Sequence, residues 1–164
     1  MSDVVVRHAQ PNEYARVAAL TVSAYKTLER DHLEDGYEAE IRDVAGRAET
    51  AEVLVAVDDT GRVLGACTFV TDPTSPWMEW AEPEETQLRL LAVDPDTRGR
   101  GVGQALVEAC LDRTRALGRP MVLHTTQFMD VAPRLYERMG FRRVPERDVP
   151  GYEPYEFRAY RYDV

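Results

Sequence analysis

Three glycines on alternate positions, Gly99, Gly101 and Gly103, constrain the fold of this chain more than any other feature. An apolar run at 88–93 precedes them and predicts a strand, which Pro95 ends because proline has no N–H donor and restricts the residue before it. A long amphipathic segment follows and predicts a helix. Such a strand, turn and helix N-terminus can form an anion site, since glycines let the backbone approach a ligand and the helix dipole attracts negative charge. We therefore predict that this turn binds a phosphate-bearing ligand.

The spacing of the turn does not match two well-known phosphate-binding motifs. A P-loop requires a lysine inside the turn, and the turn has none. The dinucleotide fingerprint requires a third glycine, and the chain has Gln104 or Leu106 there, depending on which glycine begins the motif. The remaining pattern is Arg98-Gly-Arg-Gly-Val-Gly103, of the form Arg-x-x-Gly-x-Gly, after a strand that ends Leu91-Ala-Val93.

This pattern resembles the acetyl-CoA-binding motif of the GCN5-related N-acetyltransferase (GNAT) superfamily. Further along, Ala132-x-x-Leu-Tyr-x-x-x-Gly-Phe141 resembles the second hallmark segment of the same superfamily. Two motifs in the family's order are more specific than either alone. The resemblance implies an α/β fold (α+β in some schemes), with a mixed central sheet of about seven strands and helices on both faces. It also implies that residues 1–164 form one acetyltransferase domain.

The resemblance implies transfer of an acetyl group from acetyl-CoA, as co-substrate and without a metal, to an amine that attacks directly in a ternary complex. The strand that ends at Val93 should separate from the next strand, so that its unpaired backbone binds pantetheine and one N–H stabilises the oxyanion. The backbone of the turn should bind the pyrophosphate. The cofactor-binding positions implied in this way are Leu91, Ala92, Val93, Arg98, Gly99, Arg100, Gly101, Val102, Gly103, Gln104 and Tyr136.

Tyr136 also matches the tyrosine that family members place near the coenzyme A sulfur as general acid. A phenol with a pKa of about 10 can donate a proton to a leaving thiolate with a pKa of about 8.5. Tyr136 also shares a helical face with apolar residues, which predicts a core position. The two interpretations are compatible, because a ring anchored in the core can still present its hydroxyl.

The chain departs from its relatives at two positions. Many relatives have asparagine where this chain has Met129, which leaves that cofactor contact without its usual side chain. Some relatives have a catalytic glutamate where this chain has Gln87, and an amide cannot accept the proton. Glu85 lies two residues earlier, on the same strand face, and is a candidate general base. A water chain, or an amine with a low pKa, would be an alternative to Glu85.

The segment 72–85 interrupts the regular pattern with three prolines, Trp77, Trp80 and several glutamates. One interpretation is a solvated loop whose aromatic rings cover the end of the sheet. The other is a lid that gives aromatic and acidic groups to an amine site and favours a cationic acceptor. The acceptor itself, whether a small molecule or a peptide amine, cannot be identified from the two predicted helices before residue 49.

Composition narrows the functional classes. The formal net charge of −9 argues against binding to nucleic acid or to a membrane surface, because phosphate-rich partners favour basic proteins. The two cysteines and three scattered histidines have no metal-binding or disulfide spacing. We expect a cytoplasmic enzyme, and the near-absence of lysine suggests a GC-rich bacterial genome. Whether the protein is a homodimer remains open.

Two further functions stay open beside the enzyme. A non-catalytic acyl-CoA-binding regulatory module would keep the residues from Arg98 to Gly103 and lack turnover. A nucleotide-phosphate binder is disfavoured because both phosphate motifs fail. Release of free thiol in the presence of amines would distinguish the enzyme from the module.

Periodicity predicts the remaining elements. A short strand at residues 4–6 should lie at a sheet edge, and Asn12 should cap the first long helix. A hairpin of two central strands should occupy 52–57 and 62–70. The helix after the glycines should bury one apolar face, which consists of Val102, Ala105, Leu106, Ala109, Cys110, Ala116 and Leu117. Asp130 should cap a helix that begins at residue 131.

Overall fold

The computed structural model describes residues 4–29, 36–126, 131–150 and 156–164. The five helices of the described segments are α1 (Tyr14–Glu29), α2 (Tyr37–Arg42), α3 (Val44–Ala48), α4 (Val102–Leu117) and α5 (Val131–Arg138). The eight strands are β1 (Val5–His8), β2 (Glu52–Val57), β3 (Val63–Val70), β4 (Thr86–Val93), β5 (Met121–Thr126), β6 (Arg142–Arg143), β7 (Val149–Pro150) and β8 (Glu156–Tyr162).

All described strands belong to one mixed sheet in the order β1-β2-β3-β4-β5-β8-β6, and β7 also pairs with β8. Only β4 and β5 pair in parallel; the other pairs are antiparallel. Alternate residues of β2 face opposite sides: Leu54 packs with α4, and Val53 and Val55 pack with α1. The expected mixed sheet with helices on both faces is confirmed, as is the edge position of β1.

A glycine in β3 allows α4 to lie close to the sheet. A β-carbon at Gly65 would be 2.8 Å from Cγ1 of Val102 and 2.9 Å from the carbonyl oxygen of Ala92. Real side chains do not tolerate such distances, so any other residue at this position would push the N-terminal turn of α4 away from the sheet. The sequence analysis did not identify this requirement, because it depends on a contact between β3 and α4.

The buried face of α4 differs in part from the predicted one. Its buried residues are Val102, Leu106, Val107, Cys110, Leu111 and Thr114, whereas Leu117 is 50% exposed and Ala116 is exposed. The hydroxyl of Thr114 lies 2.9 Å from that of Thr86, the first residue of β4. Thr114 is therefore level with the start of β4. The helix continues beyond this point, so Leu117 has no strand beneath it.

The sequence predicted N-cap residues for two helices, Asn12 for the first and Asp130 for the last. The 3-10 turn Pro11–Glu13 precedes α1, and the N–H of Gln10 donates to the carboxylate of Glu13 at 2.9 Å. Gln10, rather than Asn12, therefore begins the helical segment, and the prediction of Asn12 as the cap is wrong. The predicted cap Asp130 lies outside the described residues, as does Met129.

β4 and β5 separate soon after they meet. Their parallel pairing comprises only Thr86 with Met121 and Gln87 with Val122. On its other edge β4 pairs with β3, with an irregularity at Leu90, whose φ of 55° is unusual for a residue other than glycine. The separation that the family resemblance implied is thus confirmed, and it leaves one edge of β4 available beyond Gln87.

Candidate active site

The glycine turn has the backbone geometry that an anion site needs. Gly99 and Gly101 have φ values of 85° and 75°, in the left-handed region that favours glycine, and Gly101 is the N-cap of α4. The first bond of the helix runs from the N–H of Ala105 to the carbonyl of Gly101 at 3.0 Å. The N–H groups of Gly99 and of residues 101–104 contact no acceptor among the described residues, so they are available to a ligand.

The space and charge around the turn fit the pyrophosphate of coenzyme A. A β-carbon at Gly99 or Gly101 would meet no protein atom within 4 Å, so a ligand can approach the backbone closely. Arg98 and Arg100 are exposed and form no ion pair with the described residues. Two uncompensated guanidinium groups beside five free N–H donors favour a doubly charged anion.

Leu91, Ala92 and Val93 lie on the separated part of β4. Ala92 and Val93 pair with Ala66 and Gly65 of β3, and within the described segments the opposite edge of this stretch has no strand partner. An extended ligand can therefore bind this edge through the backbone, as an added strand would. These three residues lead, through the turn that follows, to the glycine-rich anion site.

Tyr136 lies on α5 with 5% of its surface exposed, and its ring centroid is 5.5 Å from that of Phe141 and 6.3 Å from that of Tyr160. Burial, together with the nearby thiols of Cys67 and Cys110, raises the pKa of Tyr136 well above its ordinary value. The phenol therefore stays protonated, and so high a pKa makes it a weaker acid than an ordinary tyrosine. The ring is a core residue, in agreement with the second interpretation of its position.

Glu85 is buried in a network of charged hydrogen bonds. Its carboxylate accepts two bonds from Arg147, both at 2.6 Å, one from Arg161 at 2.8 Å and one from the N–H of Glu82 at 2.8 Å. Burial alone would raise the pKa of Glu85, but these donors outweigh it and lower the pKa to about 2. A carboxylate with occupied lone pairs and so low a pKa is a poor base. This geometry argues against the role of general base that the sequence suggested for Glu85.

His124 on β5 is a functional candidate that the sequence analysis counted only among scattered histidines. Its Nε2 lies 3.3 Å from the carbonyl oxygen of Arg147, which can only accept, so Nε2 carries the proton. Its Nδ1 is buried and has no hydrogen-bond partner within the described segments. Burial, the largest cause, lowers the pKa of His124 below 6.5, so the imidazole is neutral at pH 7 with a free lone pair.

Strand pairing places His124 on the same sheet face as Arg89. Gln87 pairs with Val122, and residues two apart in a strand share a face, so Arg89 and His124 lie on this face where β4 and β5 separate. The signal that could have found His124 is therefore its position two residues beyond Val122, the last residue of β5 that pairs with β4. Recognising it requires the register of the two strands.

The loop 72–85 contacts this same face. The guanidinium groups of Arg47 and Arg89 each lie 5.1 Å from the ring centroid of Trp77. The ring of Trp80 is 5.1 Å from that of His124 and 5.1 Å from that of Phe157. The rings therefore cover the sheet, as the first interpretation of this loop expected. Two of its glutamates are neutralised, since Glu79 lies 3.3 Å from Arg89 and Glu85 is paired as described.

No cluster of three or more histidine, cysteine, aspartate or glutamate side chains among the described residues could hold a metal ion. No helix in that part of the chain is long and apolar enough to cross a membrane.

A free strand edge that leads into a helix N-terminus with available N–H groups is the geometry that an extended, phosphate-bearing ligand requires. A family model described as "Acetyltransferase (GNAT) family" matches residues 16–141. The chain belongs to this family. The expected GNAT fold is confirmed by the similar structures described next.

Among curated proteins, the chain is similar to mycothiol acetyltransferases. It is 36% identical to that of Cellulomonas flavigena over 95 residues, which cover 57% of this chain and 27% of that protein. It is 33% identical to that of Propionibacterium freudenreichii over 108 residues, which cover 63% of this chain and 31% of that protein. The chain therefore spans about a third or less of the length of these curated relatives.

Solved structures resemble the whole chain at lower identity. A GCN5-related N-acetyltransferase from Kribbella flavida superposes with a TM-score of 0.73 at 20% identity, covering 99% of this chain and 98% of that one. The yncA protein of Salmonella typhimurium, solved with its cofactor acetyl-CoA, superposes with a TM-score of 0.69 at 18% identity, covering 98% of this chain and 94% of that one.

Replacing Glu85 tests whether this carboxylate serves stability rather than proton transfer. Glu85→Gln removes the buried anion that pairs with the partly buried Arg147 and Arg161, of which Arg161 keeps Asp163. It should lower the free energy of unfolding at pH 7 by about 3 kcal/mol. The stabilisation is present above the ordinary glutamate pKa and is lost as the pH falls towards the folded pKa of about 2. The difference between parent and variant should therefore shrink from about pH 5 downwards.

Urea denaturation at pH 7, 5, 4 and 3 measures this difference, and Glu84→Gln is the matched control because Glu84 is exposed. A Glu85→Gln variant as stable as the parent at pH 7 would mean that the buried network contributes nothing. A fully stable variant that had lost its activity would restore Glu85 as a catalytic candidate.

Proposed function

We propose that this domain transfers the acetyl group of acetyl-CoA to an amine that attacks the thioester directly in a ternary complex. The observation that carries the proposal is the separation of β4 from β5 beside a helix N-terminus with free N–H groups. Incubation with acetyl-CoA and a panel of amines, with release of free thiol as the readout, tests it. Acetyl-CoA binding without thiol release for any amine would instead support a regulatory module.

The cofactor-binding roles follow from the backbone. The N–H groups of Gly99 and of residues 101–104 bind the pyrophosphate, and Arg98 and Arg100 add positive charge at its rim. Leu91, Ala92 and Val93 bind the pantetheine through their free edge. One N–H of this edge stabilises the charge that develops on the thioester oxygen. Acetyl-CoA itself supplies an activated acyl group whose thiolate leaves readily.

We assign proton transfer to two residues on opposite faces of the sheet. His124 accepts the amine proton at Nδ1, because that atom has a free lone pair while Nε2–H is held by the carbonyl of Arg147. Tyr136 donates its hydroxyl hydrogen to the departing sulfur, the role that its match to the family's second motif implies, and its ring packs with α4 and Phe141 on the other face. The proton balance then closes: one proton leaves the amine and one reaches the thiolate.

The context of the domain is also proposed. We propose that residues 1–164 form one acetyltransferase domain in a bacterial, cytoplasmic enzyme, as the composition and the bacterial origin of its relatives suggest. Its partners would be acetyl-CoA and a small-molecule or peptide amine. The mycothiol acetyltransferases are longer proteins, so their acceptor is not assigned to this domain.

A matched pair of glycine variants tests the anion site. Gly101→Ala and Gly118→Ala both place alanine in the left-handed region, with φ values of 75° and 66°, at opposite ends of α4, and both β-carbons meet empty space. The backbone strain is therefore similar. Only Gly101→Ala should weaken acetyl-CoA binding, about tenfold or more (about 1.4 kcal/mol), because its β-carbon obstructs the pyrophosphate. Calorimetric titration that gives equal affinities for the two variants would refute this assignment.

Tyr136→Phe tests the general acid. The variant keeps the buried ring, so the stability and the acetyl-CoA affinity should change little. The kcat should fall by about 10²–10⁴, the usual range for a lost general acid. Steady-state kinetics with any accepted amine measure this loss. A phenylalanine variant that turns over at the parent rate would leave Tyr136 with a packing role alone.

His124→Gln tests the general base, since glutamine keeps a donor for the carbonyl of Arg147 and removes the base. The kcat/KM at pH 7 should fall by about 10²–10⁴. In the parent, burial holds the pKa of His124 below 6.5, so kcat/KM should fall as the pH drops through that lowered pKa and the imidazole becomes protonated. This acid limb should disappear in the variant.

The control for this experiment is His8→Gln, because His8 lies on the edge strand β1 and bonds Glu52 at 2.8 Å. It should keep both the rate and the acid limb. Retention of the limb in His124→Gln would assign it to another group and remove His124 from the mechanism.

A further inference from the structure

Two guanidinium groups meet at one tryptophan ring on the face of the sheet where β4 and β5 separate. Arg47 of α3 and Arg89 of β4 each place their guanidinium carbon 5.1 Å from the ring centroid of Trp77. We call these three residues the Trp77 cluster. A ring that faces two cations attracts both through its π electrons, at about 0.5–2 kcal/mol each. The two like charges also repel each other.

Arg47 is a buried cation. It is 1% exposed, its Nη1 donates to the carbonyl of Ile41 at 2.9 Å, and its Nε contacts no acceptor among the residues that the structure describes. No carboxylate of the described residues forms an ion pair with it. Burial lowers the pKa of Arg47 to about 10, so it remains charged at neutral pH. A buried charge of this kind is costly unless an anion approaches it.

Among the described residues, the one carboxylate that pairs with Arg89 is exposed, and the Nη2 of Arg89 also donates to the hydroxyl of Tyr37 at 3.4 Å. The Nη1 of Arg89 donates to the carbonyl of Trp77 at 2.9 Å, and its Nη2 lies 3.3 Å from Glu79. The side chain of Glu79 is 47% exposed, whereas that of Arg89 is 15% exposed. The cluster therefore has two cations and one solvated anion, and a better-placed anion could replace Glu79 at Arg89.

The cluster lies next to the proposed reaction centre. Arg89 is two residues before Leu91, the first residue of the proposed acyl-binding edge, which is about 7 Å along a strand. His124, the proposed base, shares the sheet face of Arg89. The distance from an anion at Arg89 to the position where an amine would attack is thus about the length of a small amino acid.

We propose that the acceptor amine carries an anionic group, a carboxylate or a phosphonate, which binds Arg89 and is attracted by the buried charge of Arg47. This inference rests on the proposed N-acetyltransferase function. It reverses the sequence-based expectation of a cationic acceptor, because the glutamates Glu79 and Glu85 are paired with arginines. Arg89 is the contact residue, and Arg47 acts through its charge beneath the loop 72–85.

Product analogues test the proposal without the complication of amine ionisation. N-acetyl derivatives of glycine, L-alanine, L-leucine and L-phenylalanine are each compared with the corresponding N-acetyl carboxamide, together with N-acetylaminomethylphosphonate. Calorimetry measures their binding to the protein with and without coenzyme A. At least one acid should bind about tenfold or more tightly than its carboxamide, and this preference should disappear in Arg89→Gln. Arg89→Lys should recover part of it.

Arg115→Gln is the matched control. Arg115 also lies over an aromatic ring, 5.4 Å from the centroid of Tyr162, and also pairs with a surface carboxylate, Asp112 at 3.0 Å. It lies on α4, away from the cluster, so the preference for the acid should persist in this variant. Loss of the preference in both arginine variants would indicate a general charge effect and overturn the proposal.

The remaining outcomes are also decisive. Equal binding of every acid and its carboxamide, or a preference that persists in Arg89→Gln, overturns the anionic-acceptor proposal. Acetyl-CoA binding and thiol release with the free amines, including putrescine, are measured separately. If the protein acetylates putrescine but shows no preference for acids, the proposed function is supported and the anionic-acceptor proposal is refuted. If the protein has no affinity for acetyl-CoA, the proposed acetyltransferase function is refuted. The comparison of each acid with its carboxamide, measured without coenzyme A, then still tests the anion site at Arg89.

Discussion

The site depends on β4 being held at both ends by a buried carboxylate that two arginines neutralise. Glu85 precedes the strand and binds Arg147 and Arg161, and Asp94 follows it and binds Arg16 at 2.6 Å and Arg62 at 3.0 Å. These four arginines come from α1, the β2–β3 turn, the segment after β6, and β8. A strand fixed at both ends by other segments can keep its middle free of β5, because its position does not require continuous pairing on that edge.

The irregularity in the middle of β4 explains how one strand supplies two half-sites. Leu88 packs with α4, whereas Leu90, with its φ of 55°, packs with Val22 and Ile41 on the other side. After this irregularity Leu91 packs towards α4 again. A left-handed leucine costs about 1–3 kcal/mol, so the surrounding packing must impose it. Arg89 therefore faces the acceptor side only two residues before the edge proposed to bind pantetheine.

The sequence predicted the strand, the glycine turn and the helix on the proposed coenzyme side, because local backbone conformation determines them. Alternating glycines after a strand and before a helix are local signals, and so is the hairpin around residue 60. The acceptor side could not be predicted, since its contacts join residues far apart in the chain, such as Glu85 with Arg147, 62 positions away. A surface glutamate and a buried, doubly paired one look the same in a sequence. The exposure of Leu117 could not be predicted from the sequence either, because it depends on where β4 begins beneath the helix.

The proposed coenzyme side and the proposed acceptor side therefore differ in how substitutions can alter them. On the coenzyme side, the free N–H groups and the open edge of β4 belong to the backbone, and altering them means altering the fold. On the proposed acceptor side, the charges come from side chains of α3, β4 and the loop 72–85 that pack on an intact sheet. Exchanging Arg89 or Trp77 would change the charge and shape of this face while Glu85 and Asp94 still held β4 in place. The acceptor is accordingly the property that the fold alone determines least.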